Sequence, residues 1–256
     1  MKKISLFLFL LLSIIKVSAC KCVTETLAKN YLDADVVGVI KILKVYGENT
    51  AQRTYKADVE FEKAYKGTTF KTLNVRGLIG RSSSAACEID IEPNDRYLIF
   101  LNKSGNGYSI SSCTPRSRLK KAHTKNESSQ LETLSEVFSY LDKNKDKLKG
   151  LQFASYYDDS QSSGKSALSK IRGFKPKQPF AIYKVKINGL SRIKEMTPVI
   201  SFGSKDKTIE TALRRQIAVS APIVSGNSVQ KEFLLLLFYH KENIKAQDKE
   251  MISNSW

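Results

Sequence analysis

Apolar and charged side chains alternate along the first half of the chain with the period of a half-buried strand. Between positions 55 and 62 one face carries only apolar residues and the other only charged ones: Tyr55, Ala57, Val59 and Phe61 against Lys56, Asp58, Glu60 and Glu62. Four more stretches follow this period less regularly: 35–47, 70–78, 96–103 and 107–113. Gly105, Asn106 and Gly107 tolerate positive φ and predict a hairpin between the last two of them. We therefore expect a mainly β fold in which five strands with short connections form a small closed sheet.

Helical spacing of apolar residues marks two segments beside these strands. Residues 24–32 predict a short helix, and residues 128–148 predict a longer one in which Ser129 and Glu132 have the spacing of a capping box. In the longer segment apolar residues recur at helical intervals: Leu131, Leu134, Phe138 and Leu141. One side of this helix is therefore expected to pack on a hydrophobic core.

The second half of the chain predicts a smaller α+β unit behind a linker. Residues 150–176 are rich in Gly, Ser and Lys without apolar periodicity, so we interpret them as a linker in which Asp158 and Asp159 are solvated. Three patterned segments follow, a strand, a helix and a buried strand: 180–187, 207–217 and 232–239. The predicted organisation is a first domain, a linker, a second domain and a tail: 20–149, 150–176, 177–240 and 241–256.

The first 19 residues have the features of a secretory signal. Lys2 and Lys3 supply a basic start, an apolar run covers 4–15, and residues 17–19 form a small-residue cleavage site. At about a dozen residues, this run is too short to span a bilayer. We expect the leader 1–19 to be removed and the mature chain, without a transmembrane segment, to be periplasmic or extracellular.

The chain is strongly basic, with a formal net charge of +17. Such a surface favours a polyanion as partner, whether acidic polysaccharide, lipid headgroups or nucleic acid. The lysines are spread along the sequence and are not interleaved with an aromatic motif, so nucleic acid is the least expected of the three. A basic surface that is merely solvated is the simpler alternative.

All four cysteines lie in the first half of the chain: Cys20, Cys22, Cys87 and Cys113. In an exported protein they are expected to form two disulfides, for which three connectivities are open. A zinc site is disfavoured because there is no C-x-x-C pair. His123 and His240 lie outside any ligand or nucleophile motif, and we interpret both as surface residues. We find no phosphate-binding loop, and expect neither an enzyme nor a cofactor.

Four segments, in this order, resemble the netrin-like module of the tissue inhibitors of metalloproteases: "CKC" after the leader, "YLDADVVGVIK", "CEID" and "RYLIFLNKSGNGYSISSC". The resemblance spans residues 20–120 and implies a five-stranded OB-type barrel with flanking helices. It also implies the disulfides Cys20–Cys87 and Cys22–Cys113. The carboxy-terminal unit more weakly resembles the TonB carboxy-terminal domain.

The resemblance further implies a function for the amino terminus. In the family's inhibitors the terminal amine and carbonyl oxygen chelate the catalytic zinc of a target protease, a role that would fall here to Cys20. Lys21 would enter the primary specificity pocket of the protease, next to Cys22, with flanking contacts from Val23, Ala85 and Ala86. An ammonium is costly to bury without a partner, so Lys21 predicts an acidic or solvated pocket, or argues against inhibition.

Lipidation of Cys20 is an alternative to the free amine that zinc chelation needs. Residues 17–20 also resemble a bacterial lipobox, in which Cys20 would be lipidated and its amine acylated, attaching the chain to the outer membrane. Lipidation would leave Cys87 without a partner, so ordinary cleavage with a free amine is the favoured interpretation. Two functions follow: an exported inhibitor of zinc metalloproteases, or a non-inhibitory envelope module that binds a protein or a polyanion.

Overall fold

The computed structural model describes residues 22, 25–81, 87–105, 107–158, 168–220, 232–241, 251–254 and 256. The fold is mainly β, as the alternation predicts. The described helices are α1 Leu27–Asp33, α2 Lys125–Lys143, α3 Lys145–Leu148 and α4 Asp206–Gln216, with a 3-10 turn at Leu168–Lys170. In the described part of the chain, no helix is both long enough and apolar enough to cross a membrane.

The first half of the chain forms a seven-stranded sheet that curls into a half-barrel. Its strands are β1 Val36–Asn49, β2 Thr54–Lys66, β3 Thr72–Arg76, β4 Arg96–Leu101, β5 Lys103–Ser104, β6 Gly107–Ile110 and β7 Arg116–Leu119, in the order β5-β6-β3-β2-β1-β4-β7. Strands β1, β2 and β3 form an antiparallel meander, and β6 joins β3 in parallel. The count exceeds the expected five because Asn102 interrupts the predicted strand 96–103 and because β7 was not expected.

Side-chain alternation determines which face of each strand is buried. In β2, Tyr55, Ala57 and Val59 are buried in the core of the curled sheet, as their spacing predicts. Strand β4 is buried on both faces, which explains its unbroken apolar run. Its odd-numbered residues join the core of the curled sheet, whereas Leu98 and Phe100 join a second core that includes α2.

Helix α2 begins one turn earlier than the sequence pattern indicates. Its N-cap is Thr124, whose hydroxyl oxygen accepts from the Glu127 N–H at 3.2 Å, so the predicted capping box at Ser129 and Glu132 is wrong. Thr124 and Glu127 have the same spacing as that pair, but only the Thr124 side chain caps the helix, since the Glu127 carboxylate pairs with Arg96 at 2.8 Å. The predicted apolar face is confirmed, since Leu134, Phe138 and Leu141 are buried.

The second half of the chain forms a second sheet from the strands β8 Gln152–Phe153, β10 Phe180–Ile187, β11 Ile193–Ile200, β13 Glu232–His240 and β14 Met251–Ser253. Their order is β11-β10-β13-β14, with β8 paired to β13. A separate pair is formed by β9 Ser155–Asp158 and β12 Ile217–Ser220. Helix α4 follows β11, so the predicted strand, helix and buried strand are all present.

The predicted linker 150–176 contains regular structure where it is described. It contributes β8, β9 and the 3-10 turn, with Phe153, Leu168 and Ile171 buried. Asp158 is buried in β9 opposite Ile217, so its assignment to a solvated loop is wrong, while Asp159 lies outside the described residues. Strands of two and four residues are too short to show a period, which is why the pattern reads as a loop. The domain boundaries themselves stay a prediction.

One hydrophobic core joins the two halves of the chain. It contains Phe100 of the first sheet, Phe138 of α2, and Phe180 and Leu236 of the second sheet. Tyr31 of α1 stacks on Phe138 with ring centroids 4.1 Å apart. Burial of these large side chains fixes α1 against the rest of the molecule.

Candidate functional site

A disulfide joins Cys22, just before α1, to Cys113 in the loop between β6 and β7. Their Cα atoms are 5.0 Å apart and the bridge closes a sequence separation of 91 residues. This bridge is one of the two that the resemblance implies. Cys22 is exposed, so the bridge holds the start of the described chain at the surface.

The loop that contains Cys113 is held by hydrogen bonds to one guanidinium group. Arg116 Nη1 donates to the carbonyl oxygens of three loop residues, at 2.8, 3.2 and 3.0 Å: Ser111, Ser112 and Thr114. Burial lowers the pKa of Arg116 below its usual range. The arginine therefore acts as a fixed donor that determines the shape of the loop around the bridge.

Cys87 lies directly beside this loop. The Ser112 N–H donates to the Cys87 carbonyl oxygen at 3.2 Å. Cys87 is also disulfide-bonded, to a partner outside the described residues. Two disulfide-bonded cysteines, Cys87 and Cys113, are thus neighbours in space.

The segment after Cys87 is fixed to the curled sheet by two side chains. Arg53 forms an ion pair with Glu88, with Nη2 2.7 Å from Oε2, and hydrogen bonding to Arg53 lowers the pKa of Glu88. The Tyr55 hydroxyl donates to the Ile89 carbonyl oxygen at 3.2 Å and accepts from the Ile91 N–H at 2.9 Å. Residues 87–91 are therefore held through the Glu88 side chain and through the backbone of Ile89 and Ile91.

Gly77 allows this segment to approach the sheet closely. Its φ is +150°, and a Cβ atom at this position would lie 2.3 Å from the Ile89 carbonyl oxygen. Any other residue would therefore collide with the backbone of the segment.

We call the surface formed by residues 22, 87–91 and 111–116 the bridge edge.

A groove of about 770 Å³ opens next to the bridge edge. Its lining includes Cys22 and Arg116 of the bridge edge, and Phe153 and Leu236 of the second half of the chain. The groove is therefore lined by the Arg116 guanidinium, which donates its hydrogen bonds to the Cys113 loop, and by apolar side chains from both sheets. It is large enough to receive several residues of a partner.

A buried charge cluster lies behind the sheet and fixes α2. Arg96, with 1% of its side chain exposed, lies 2.6 Å from Glu62 and 2.8 Å from Glu127. Its Nη2 also lies 2.9 Å from His123 Nδ1. The His123 side chain is 66% exposed, so it is a surface residue that also borders this cluster.

Several residues of the predicted wedge cannot be placed. Five of them lie outside the described residues: Cys20, Lys21, Val23, Ala85 and Ala86. Their proposed roles stay predictions. The residues that fix the bridge edge, Arg53, Glu88 and Arg116, were missed by the sequence analysis. Only the position of Arg116, three residues after Cys113, gives a local signal for its contact with the loop.

Chemically, the bridge edge offers a rigid surface next to a groove. Within the described ranges, no three His, Cys, Asp or Glu side chains are grouped so that they could hold a metal ion. Comparison with models of known protein families and with curated proteins finds no match to this chain.

Proposed function

We propose that this chain is an exported inhibitor of zinc metalloproteases, which acts through residues 20–23 at the bridge edge. The observation that supports it is the position of Cys22, exposed and bonded to Cys113 next to the disulfide-bonded Cys87. Residues attached to such a point lose little conformational freedom when they bind. Pre-organisation of this kind lowers the entropic cost of association.

The proposed chemistry needs a free amine at Cys20. An α-amino group has a pKa of about 8, so a useful fraction is neutral near pH 7 and can donate its lone pair to a metal. A catalytic zinc keeps one ligand position open and can expand to five ligands, so the amine would take the open position and the adjacent carbonyl oxygen the fifth. The zinc belongs to the target protease, and this chain needs no metal of its own.

We also propose that the curled sheet is an OB-type barrel of five strands. In this interpretation β5 continues β4 beyond Asn102, and the antiparallel pairing of β5 with β6 and the parallel pairing of β6 with β3 close the circuit. Barrels of this kind are partly open, which agrees with the half-barrel curvature. We extend the proposal to β10, β11, α4 and β13 as a small TonB-like unit, whose sheet order β11-β10-β13 supports it.

The decisive experiment compares one molecule before and after a single cleavage. The chain is produced with a removable amino-terminal extension whose excision leaves Cys20 first, and inhibition of a panel of zinc endopeptidases is measured in both forms. We expect inhibition to strengthen about 1000-fold on excision, because a central contact is worth about 4 kcal/mol. Equal inhibition by both forms, or none by either, would refute the proposal.

A second candidate function is a non-inhibitory envelope module that binds a polyanion or a protein. The net charge of +17 supports it, as does a basic groove on α4. Acylation of Cys20 would also favour it, because an acylated amine cannot chelate zinc. The intact mass of the exported chain distinguishes a free amine from a lipidated one.

A further inference from the structure

A second groove lies far in sequence from the bridge edge, and half of its described lining residues are basic. It has a volume of about 510 Å³ and lies between the 3-10 turn and α4. Five of its described lining residues are basic: Lys170, Arg172, Lys205, Lys207 and Arg215. None of its described lining residues is acidic. We call this surface the α4 groove.

The charges of α4 are segregated around the helix. Lys205, Thr208, Ala212 and Arg215 line the groove at the spacing of one helical face. The two acidic residues are engaged elsewhere. Asp206 accepts from the Tyr183 hydroxyl at 2.7 Å, and Glu210 pairs with Arg214 at 2.7 Å. The groove-facing side of α4 is therefore basic, although the helix as a whole contains both signs of charge.

Three cations of the groove, Lys205, Lys207 and Arg215, form no ion pair within the described residues. By contrast, two lysines of the neighbouring strand β10 are paired, Lys184 with Glu232 at 3.0 Å and Lys186 with Glu195 at 2.9 Å. Like charges held in one groove repel each other and raise the local potential. An anionic ligand removes that repulsion, so the groove has a direct electrostatic reason to bind one.

The uncharged lining residues indicate which groups, besides anions, the ligand carries. The Thr211 hydroxyl already donates to the Lys207 carbonyl oxygen at 2.9 Å, so its oxygen is left as an acceptor. A phosphate or sulfate group that is fully ionised cannot donate to it, but a sugar hydroxyl can. Thr208 and Gln216 add further groups that can bond to hydroxyls.

Two other polyanions fit less well. Bases of single-stranded nucleic acid stack on aromatic side chains, and no aromatic residue is among the described residues that line the groove. Anionic membranes are bound by protruding apolar faces beside basic ones, whereas Ile171 is buried on the floor of the groove. We propose that the α4 groove binds an acidic polysaccharide, whose charged groups meet the cations and whose hydroxyls meet Thr208, Thr211 and Gln216.

This site develops the polyanion-binding candidate and does not depend on protease inhibition. The test uses direct binding to heparin, a sulfated polysaccharide, measured by calorimetry on the full chain at low ionic strength. The groove variant is the triple substitution Lys205→Gln, Lys207→Gln and Arg215→Gln. Its matched control is Lys56→Gln, Lys71→Gln and Lys103→Gln, which removes the same charge from exposed positions on the first sheet.

We expect the groove variant to bind heparin about 100-fold more weakly, at about fivefold for each charge removed, and the control to bind within about threefold of the unmodified chain. Circular dichroism checks that both variants are folded. If one triple variant fails to fold, the single substitutions Lys207→Gln and Lys56→Gln replace the pair, with an expected difference of about fivefold. Equal weakening of the groove and control variants would overturn the proposal, because it would show binding to overall charge.

Two further arms test the ligand class at the same ionic strength. A single-stranded oligonucleotide and phosphatidylglycerol vesicles are titrated against the same proteins, with dextran as the uncharged polysaccharide. We expect the groove substitutions to weaken heparin binding more than binding to either of the other anions, and dextran to bind weakly or not at all. A larger loss for the oligonucleotide or the vesicles would contradict the polysaccharide assignment.

Discussion

The bridge edge and the α4 groove use charged side chains in opposite ways. At the bridge edge Arg53 is paired with Glu88, and Arg116 donates to three backbone carbonyl oxygens. In the α4 groove, Lys205, Lys207 and Arg215 have no carboxylate partner among the described residues. Arginines that are satisfied internally hold a backbone in place, whereas cations without carboxylates are available to a ligand. The first region is therefore suited to presenting a rigid backbone, and the second to attracting an anion.

The largest stability effect is expected at the buried cluster that fixes α2. Arg96→Met removes the cation between Glu62 and Glu127 and leaves carboxylates without a partner. We expect unfolding free energy to fall by about 3–5 kcal/mol, as when a buried pair loses one member. Urea denaturation measures the change. Adding Glu127→Gln to Arg96→Met should recover part of the loss, and no recovery would mean that packing, not charge, dominates.

Loss of the Cys22–Cys113 bridge is expected to have the next largest effect. The double substitution Cys22→Ser and Cys113→Ser removes a cross-link that constrains the unfolded chain, and should cost about 2–4 kcal/mol. It should also abolish inhibition at temperatures where the chain stays folded, since residues 20–23 lose their anchor. Thermal unfolding and inhibition assays report the two effects separately. Full inhibition by the folded double variant would show that the Cys22–Cys113 disulfide is not needed for inhibition.

A smaller effect is expected for the arginine that holds the Cys113 loop. Arg116→Gln withdraws the donor from Ser111, Ser112 and Thr114, and should destabilise the fold by about 1–2 kcal/mol. Inhibition should weaken more than this loss of stability implies, because the loop carries one end of the bridge. Arg76→Gln, at an exposed position of β3, is the control for removal of a positive charge. If Arg116→Gln and Arg76→Gln have the same stability and the same inhibition, Arg116 does not position the loop.

The smallest effect concerns the acid dependence of stability. Burial of Asp95 opposes its ionisation, but hydrogen bonds from Arg118, the Glu92 N–H and Tyr97 outweigh it, and the pKa lies below its ordinary value of 3.8. Asp95 therefore contributes stability that is fully present above its ordinary pKa and is lost as the pH falls through the lowered value.

The test of this acid dependence is denaturation at several pH values below neutrality. Asp95→Asn should flatten the fall of stability with pH in the acid range relative to the unmodified chain. An unchanged slope would assign the acid sensitivity to other carboxylates. Glu88, whose pKa is also lowered by its hydrogen bond to Arg53, is the first of these.

Patterns of several residues predicted most of the regular structure. The alternation in β2, the unbroken apolar run in β4 and the helical face of Leu134, Phe138 and Leu141 each follow from a period that local sequence displays. Strands of two to four residues, such as β8 and β9, contain too few positions to show a period. Their pairing depends on β13 and β12, which lie far away in the sequence.

Of the candidate site, only the disulfide could be predicted, because cysteine residues can be recognised in the sequence. The spacing of the cysteines, read through the family resemblance, indicated the Cys22–Cys113 bridge. The contacts of Arg53 with Glu88 and of Arg96 with Glu62 join residues about 35 positions apart, and no local pattern announces them. The pair Thr124 and Glu127 has the spacing of a helix cap, but Ser129 and Glu132 have the same spacing five residues later, so local sequence does not distinguish the two.

Coordination of a target protease's metal by the amine of Cys20 can be measured with a cobalt-substituted protease. The visible absorption of Co²⁺ reports its ligands, so it responds to the donor atom and not merely to association. We predict that the chain beginning at Cys20 changes the cobalt spectrum on binding, and that the same chain with one added alanine leaves it unchanged. A bound complex of the Cys20 form with an unaltered spectrum would contradict the account.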